Sequence, residues 1–229
     1  MISTARLSLK AQPEPIELDP KASAVCVIDM QNWDVAPGGF FDLTQQDTTH
    51  GRKVLEPIKA VLKHARAAGM PVVYTKNVLP RDPRLWPDER SPWYWKTNAR
   101  QYPTDPALAR GMCIEGSWGA EIVEELAPQE GDLVITKTLY SGFVRTQLDV
   151  LLRRHGIRYL FLTGIGTPTC VEATARDAYY YEYWPVLIAD CCAAKVEETH
   201  HQALEAIKRR YGWVTTSADV ASALAESAP

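Results

Sequence analysis

The feature that most constrains the fold of this chain is a regular alternation of short apolar segments with segments of helical periodicity. The first apolar segment, AVCVIDM, is apolar almost throughout, as is typical of a strand buried on both faces. Six segments predict strands, over residues 24–30, 71–76, 132–137, 158–163, 184–190 and 213–216. Segments of helical pattern lie between them and predict helices over residues 54–65, 120–126, 144–155, 170–181 and 196–211.

Strands that alternate with helices form βαβ units, in which the strands are parallel and helices cover both faces of the sheet. We therefore predict a three-layer α/β/α sandwich around a mostly parallel, six-stranded, Rossmann-like sheet. No internal repeat, low-complexity tract or linker interrupts the pattern, so we expect residues 1–229 to form a single domain.

The connection over residues 77–118 is the exception to this pattern, because it is long and rich in proline and aromatic residues. Connections of this length inside a compact domain are usually functional or disordered. The aromatic content argues against disorder. Composition alone supports equally a structural flap packed against the sheet and an ordered cover over a site.

Charge and composition exclude several classes of partner. Lys and Arg total 25 against 28 Asp and Glu, and a net charge of −3 offers no basic surface for nucleic acid or for a membrane. No apolar run approaches the roughly 18–20 residues that span a bilayer, and the N-terminal segment lacks the apolar stretch of a secretory signal. The cysteines number five, an odd count that favours reduced thiols, so we expect a cytoplasmic protein.

Three reactive side chains follow predicted strands at the edge where an open α/β sheet binds its ligands. Asp29 ends the first predicted strand and Lys137 ends the third. The fourth runs into a glycine-rich turn, GIGTPTC, which places Cys170 at the start of a helix. Each residue alone has an ordinary structural explanation, as a turn cap, a solvated cation or a buried thiol. Their combination at one edge is more informative.

The combination matches the needs of nucleophilic acyl transfer. A helix N-terminus and a neighbouring Lys both favour the thiolate form of Cys170. An Asp within reach can take the thiol proton and return it to a leaving amine. Backbone N–H groups of the turn can hold the oxyanion of a tetrahedral intermediate. The sequence thus predicts a cysteine nucleophile.

Other site classes have weaker support. The cysteines show no paired spacing typical of a zinc site, and Gly164 and Gly166 lack the third glycine of a dinucleotide-binding motif. His200 and His201 lie on the last long predicted helix, where we expect them to face solvent.

Three motifs, in order and spacing, resemble those of the isochorismatase-like cysteine hydrolase superfamily: VIDMQN at residues 27–32, ITKTLYSGF at 135–143 and TGIGTPTCVEAT at 163–174. The resemblance implies that Asp29 is the general base and acid, Lys137 stabilises the thiolate and Cys170 is the nucleophile. It also implies an oxyanion hole from the N–H groups of Gly166 and Cys170, with a cis peptide between Ile165 and Gly166. Members with the cysteine hydrolyse C–N bonds.

Within the superfamily, the segments APGG, GSW, YSGF and SPWYWKTN are most similar to the branch that hydrolyses ureidoacrylate. By this resemblance the substrate-binding residues are Asn32, Asn77, Lys96, Tyr140 and Trp95, the last in place of a His beside Lys96. Hydrolysis of biuret or of N-carbamoyl amino acids remains an alternative, because those branches share the catalytic trio.

The resemblance also bears on metals and assembly. The nicotinamidase branch carries a D-x-H…H metal site after the first strand. Here Asp34 stands alone and His50 is distant in sequence, so we expect no metal and no other cofactor. Members are commonly homodimers or homotetramers, which predicts a homo-oligomer.

The sequence therefore predicts a metal-independent cysteine amidohydrolase acting on a small amide, ureide or carbamoyl compound through a thioester. The alternative from another class is a catalytically silent binding module of the same fold.

Overall fold

A six-stranded parallel sheet lies at the centre of the molecule in this computed structural model, which describes residues 6–96 and 106–226. The strands are β1 (Leu7–Leu9), β2 (Ile16–Leu18), β3 (Ser23–Ile28), β4 (Val72–Asn77), β5 (Leu133–Lys137), β6 (Tyr159–Ile165), β7 (Trp184–Ala193) and β8 (Trp213–Thr215). The order in the sheet is β5-β4-β3-β6-β7-β8, and every neighbouring pair is parallel. The β1 and β2 strands form a separate antiparallel pair that was not predicted.

Helices cover both faces of the sheet, which confirms the predicted three-layer α/β/α sandwich. They are α1 (Asn32–Val35), α2 (Phe40–Leu43), α3 (Thr49–Lys53), α4 (Leu55–Ala67), α5 (Pro92–Lys96), α6 (Pro106–Ala109), α7 (Leu148–Arg154), α8 (Glu172–Tyr180), α9 (Glu197–Arg210) and α10 (Ser217–Glu226). Alternate residues of β3 point to opposite faces. Val25 and Val27 pack into one core with α4 and α10, whereas Cys26 and Ile28 pack into another with α7, α8 and α9.

The helix predicted over residues 120–126 is wrong. Two short 3₁₀ turns, Trp118–Ala120 and Glu124–Leu126, flank an extended stretch instead. Ile122 forms a β-bridge with Gln31, and the Val123 N–H donates to Met30 O at 3.0 Å. These bonds to the chain just after β3 hold the stretch extended and override its helical spacing.

The connection over residues 77–118 contributes a third, smaller core at the carboxyl edge of the sheet. Its members include Leu79, Met112 and Cys113, packed with Trp33 and Phe41 from the segment after β3. A parallel bridge between Leu79 and Ile114 closes the two ends of the connection. Residues 97–105 of the connection lie outside the described residues. That residues 1–229 form a single domain stays a prediction.

No helix of the described chain is long and apolar enough to cross a membrane.

Candidate active site

The three predicted catalytic side chains meet at the carboxyl edge of the sheet. The Lys137 ammonium donates to Asp29 Oδ2 at 2.5 Å, to Leu139 O at 3.1 Å and to Cys170 Sγ at 3.4 Å. All three donors of the ammonium group are therefore used. Lys137 is 2% exposed and Asp29 is 4% exposed, so the ion pair is shielded from solvent.

Asp29 is held in an unusual backbone conformation directly after β3. Its φ is 55°, in the left-handed region that a non-glycine residue seldom adopts, and such residues concentrate at functional sites. The Gln31 N–H donates to the Asp29 carbonyl at 2.7 Å. Thr75, fully buried on β4, donates its hydroxyl to Asp29 Oδ1 at 2.7 Å. Thr75 was not predicted, because a Thr inside an apolar strand carries no sequence signal for this contact.

The turn that carries Cys170 depends on two glycines with positive φ. At Gly164, where φ is 115°, an added Cβ would lie 2.1 Å from Ile28 O of the neighbouring strand. At Gly166, φ is 74°, and a π-helical turn, Thr167–Val171, then leads into α8. Single π-helical turns are frequent at functional sites. The cis peptide predicted between Ile165 and Gly166 is wrong, since only Gln12–Pro13 is cis in the described part of the chain.

The predicted oxyanion hole is altered at Gly166. The Gly166 N–H donates to Ala193 O at 2.9 Å and so continues the bonding between β6 and β7. Because the peptide between Ile165 and Gly166 is trans, this N–H is directed at the neighbouring strand β7 and already has an acceptor there. The N–H of Cys170 lies in the π-helical turn at the N-terminal end of α8, where backbone donors favour negative charge.

Electrostatics favour a protonated Cys170 thiol and a charged Lys137 in the unliganded site. Burial raises the pKa of Cys170, the Asp29 carboxylate raises it further, and Lys137 only partly offsets the two. Burial alone would lower the pKa of Lys137, but Asp29 and Cys170 more than offset it, so this pKa lies above its ordinary value. The thiolate expected from the helix terminus and Lys137 is therefore not the resting form, and a base must take the proton.

A cavity of about 410 Å³ opens onto Cys170, a size suited to a small metabolite. Of the five predicted substrate-binding residues, Asn77, Lys96 and Tyr140 line it. The side-chain amide of Asn77 has no hydrogen-bond partner among the described residues, which leaves it available to a ligand. Burial raises the pKa of Tyr140, a thiolate on Cys170 raises it further, and Lys137 opposes the rise.

The other two predicted substrate-binding residues lie elsewhere. The Asn32 amide donates to Trp118 O at 2.9 Å and holds the 3₁₀ turn there. Trp95 is 50% exposed, and its indole donates to Glu89 O at 2.7 Å. Neither lines the cavity. Among the tryptophans of the described part of the 77–118 connection, Trp93 lines the cavity and Trp118 packs against the core beside α4.

The second wall of the cavity was not predicted. It is formed by side chains from α1, α2, α3 and the segment after β7, including Trp33, Asp34, Phe41, His50 and Lys195. Although His50 is 16 positions from Asp34 in sequence, the fold brings its Nε2 to 3.6 Å from Asp34 Oδ1. Short helices that pack by tertiary contact leave no periodicity from which to predict this.

His200 has a structural role that differs from the expectation of a solvent-facing side chain. It is half-buried, and its Nδ1 lies 2.9 Å from the Thr167 hydroxyl. Thr167 follows Gly166 in the turn that carries Cys170, so α9 supports that turn. His201 is exposed and lies 3.7 Å from Glu197.

The remaining cysteines are free, as the odd count predicted, and all of them are buried. Burial raises the pKa of Cys26 to about 12 and that of Cys113 to about 12. Neither of these two lines the cavity, whereas Cys170 does. Among the described side chains, no group of three or more His, Cys, Asp and Glu is arranged to hold a metal ion.

Comparison with known proteins finds relatives and structural neighbours over most of the chain. A family model described as the isochorismatase domain matches residues 23–219. Ureidoacrylate amidohydrolase RutB from Caulobacter segnis is 41% identical over 237 residues, which cover 100% of this chain and 96% of that protein. The crystal structure of a cysteine hydrolase from Pseudomonas syringae pv. phaseolicola 1448A has a TM-score of 0.79 at 25% identity, covering 99% of this chain and 100% of that one. N-carbamoylsarcosine amidase from Thermoplasma acidophilum has a TM-score of 0.63 at 28% identity, covering 85% and 96%.

Proposed function

The chain belongs to the isochorismatase family, and on that premise we propose that it is a metal-independent cysteine amidohydrolase that cleaves a small ureide, carbamoyl compound or amide through a thioester. The relatives support a hydrolase of carbon–nitrogen bonds other than peptide bonds. The observation that carries the cysteine mechanism is the contact of Lys137 with both Asp29 and Cys170 at the base of the cavity.

The first half-reaction begins with proton transfer. Asp29 takes the proton from the Cys170 thiol, and the sulfur electron pair attacks the substrate carbonyl carbon. The C–N bond of the tetrahedral intermediate then breaks, and the departing nitrogen takes the proton from Asp29. The products of this half are free amine or ammonia and an acyl group on the Cys170 sulfur, which is a thioester for an amide substrate and its carbamoyl form, a thiocarbamate, for a ureide.

In the second half-reaction, water takes the place of the Cys170 thiol as the group that Asp29 deprotonates. Asp29 takes a proton from water, hydroxide attacks the thioester carbonyl, and the sulfur leaves to recover its proton from Asp29. Lys137 stays charged throughout and stabilises negative charge on whichever of Asp29 and Cys170 carries it. This dual role agrees with the raised pKa of Lys137.

Negative charge on the substrate oxygen is held in this proposal by the Cys170 N–H. The Gly166 N–H joins only after releasing Ala193 O, to which it now donates. Asn77, Lys96 and Tyr140 orient the substrate, since they line the cavity with groups that bond to polar atoms. A ureidoacrylate-like substrate is favoured by the 41% identity, and biuret or an N-carbamoyl amino acid is the alternative.

The test is ammonia release from a panel of ureidoacrylate, biuret, N-carbamoyl amino acids, maleamate and simple amides. We expect Cys170→Ala to lose activity by a factor of about 10³ or more while its circular dichroism is unchanged. Cys113→Ala, at a buried thiol that does not line the cavity, is the matched control and keeps activity. Hydrolysis that persists in Cys170→Ala contradicts the mechanism. Binding without turnover in the unmodified protein supports a silent binding module instead.

A further inference from the structure

The second wall of the cavity carries buried polar atoms that have no partner. Trp33 Nε1, Asp34 Oδ1 and His50 Nδ1 are all shielded from solvent, and none forms a hydrogen bond with the described residues. Trp33 and His50 are each 9% exposed, and all three residues line the cavity that contains Cys170. Buried polar groups in folded proteins are normally satisfied, so a cluster of unsatisfied atoms along one cavity wall indicates where a ligand binds.

Among these three residues, Asp34 has the largest unsatisfied hydrogen-bonding capacity. Neither of its carboxyl oxygens accepts a hydrogen bond from the described chain, and its side chain is only 16% exposed. The nearest basic nitrogen, His50 Nε2, is 3.6 Å away, beyond hydrogen-bond distance. Burial lowers the pKa of His50, and so favours its neutral form.

The charged neighbours of Asp34 leave the carboxyl group free to bind a ligand. Lys195 approaches from the segment after β7, but its ammonium donates to Gln46 Oε1 at 2.8 Å and lies 3.3 Å from the centre of the Phe41 ring. No carboxylate among the described residues lies within 4.0 Å of that ammonium. Lys195 therefore lowers the pKa of Asp34 only from a distance, and burial outweighs it.

The unpaired atoms together match one kind of substrate group. The Trp33 indole can only donate, and the Asp34 carboxylate accepts. A carboxamide or ureido group supplies both complements, because its carbonyl oxygen accepts while its N–H donates. A substrate carboxylate in this position would instead be repelled by the Asp34 carboxylate. It also has no N–H to donate, so the Asp34 oxygens would stay without a hydrogen-bond donor.

We propose that Asp34 is a specificity-determining residue that accepts a hydrogen bond from a substrate N–H, so that the cavity selects substrates carrying a second amide or ureide group over those carrying a carboxylate there. This proposal rests on the proposed function for the position of the reacting carbonyl. Within that function it favours biuret, which carries a second amide, over ureidoacrylate and N-carbamoyl amino acids, which carry a carboxylate, although the 41% identity points to ureidoacrylate. It concerns binding, and binding can be measured without turnover.

The probes are N-carbamoylglycinamide and N-carbamoylglycine, which share the carbamoyl group and differ in ending with a carboxamide or a carboxylate. Their affinities are measured by calorimetry on Cys170→Ala and on Cys170→Ala combined with Asp34→Ala. The measurement is made at about pH 8.5, above the pKa of Asp34 of about 7, so that Asp34 is ionised. We expect the first protein to bind the carboxamide more tightly. Removing Asp34 is expected to shift the ratio of the two affinities by about tenfold or more toward the carboxylate.

Asp42→Ala on the Cys170→Ala background is the matched control. Asp42 is an exposed carboxylate of α2 that bonds the Gly38 N–H and does not line the cavity. This substitution removes one negative charge from the same region, so the ratio of the affinities for the two probes should not change. Equal affinities for both compounds, an equal loss of both in the Asp34 variant, or no binding of either contradicts the inference. Failure of the proposed function shows separately, as no ammonia release by the protein that retains Cys170.

Discussion

The Lys137 ammonium lies 2.5 Å from the Asp29 carboxylate, and the two side chains are 0% and 5% exposed. An ion pair this deep is costly to break on one side, because the remaining charge stays buried without its partner. The pair also joins β3 to β5 across β4, so it connects strands that do not touch in the sheet.

Lys137→Met is expected to lose both activity and stability. Removing the ammonium leaves Asp29 buried and unpaired, so the free energy of unfolding in urea should fall by about 3–5 kcal/mol. Lys59→Met is the control, because Lys59 pairs with Glu56 on the surface and such pairs contribute at most about 1 kcal/mol. A second test adds Asp29→Asn to Lys137→Met, which should restore part of the lost stability. Additive losses in that double variant would contradict a coupled pair.

Asp29→Asn is expected to separate thiol reactivity from catalysis. After burial, the Asp29 charge is the largest cause of the raised pKa of Cys170, so its removal leaves Lys137 to favour the thiolate. Alkylation of Cys170 by iodoacetamide near neutral pH, followed by mass spectrometry of the intact protein, should therefore become faster. Ammonia release should be lost, because no base remains to exchange protons. Slower alkylation together with lost turnover would contradict this account.

The meeting of Asp29, Lys137 and Cys170 at one edge could be predicted because each residue lies at or shortly after the end of its strand. A parallel sheet brings the carboxyl ends of its strands to one edge, so Asp29, Lys137 and the turn leading to Cys170 had to approach one another. The confirmed prediction of a six-stranded, mostly parallel sheet depends on the same short apolar segments, whereas the order of the strands was not predicted.

The second wall of the cavity could not be predicted, for a physical reason. Asp34, His50 and Lys195 stand on short segments whose packing depends on tertiary contacts, and no periodicity reports those contacts. The resemblance placed Asn32 and Trp95 at the substrate. In the structure their polar atoms bond to the backbone at Trp118 and Glu89 instead. A motif identifies a residue type at a position, but it does not show which neighbour uses the side chain.

Thr75 is expected to be a positioning residue for Asp29. Thr75→Val keeps the shape of the buried side chain but removes the hydroxyl that donates to Asp29 Oδ1 at 2.7 Å. We expect kcat to fall about tenfold with little change in KM, because the hydroxyl does not line the cavity. Thr75→Ser keeps the donor and should restore most of kcat. If the Ser and Val variants lose kcat equally, the residue serves packing alone.

Asp34 is expected to make stability depend on pH. Burial, with a smaller contribution from Asp29 that Lys195 opposes, raises the pKa of Asp34 from 3.8 to about 7 in the folded protein. The folded state therefore holds this proton over a range in which the unfolded state has lost it, so the free energy of unfolding falls as pH rises from 3.8 to about 7. Between about pH 5 and pH 8 this loss amounts to roughly 2–3 kcal/mol. Asp34→Asn cannot ionise, so its stability relative to the unmodified protein should increase over that interval when both are unfolded in urea, while Asp42→Asn should show no such trend. A constant difference between Asp34→Asn and the unmodified protein at both pH values would mean that Asp34 is already charged at the lower one, held so by Lys195.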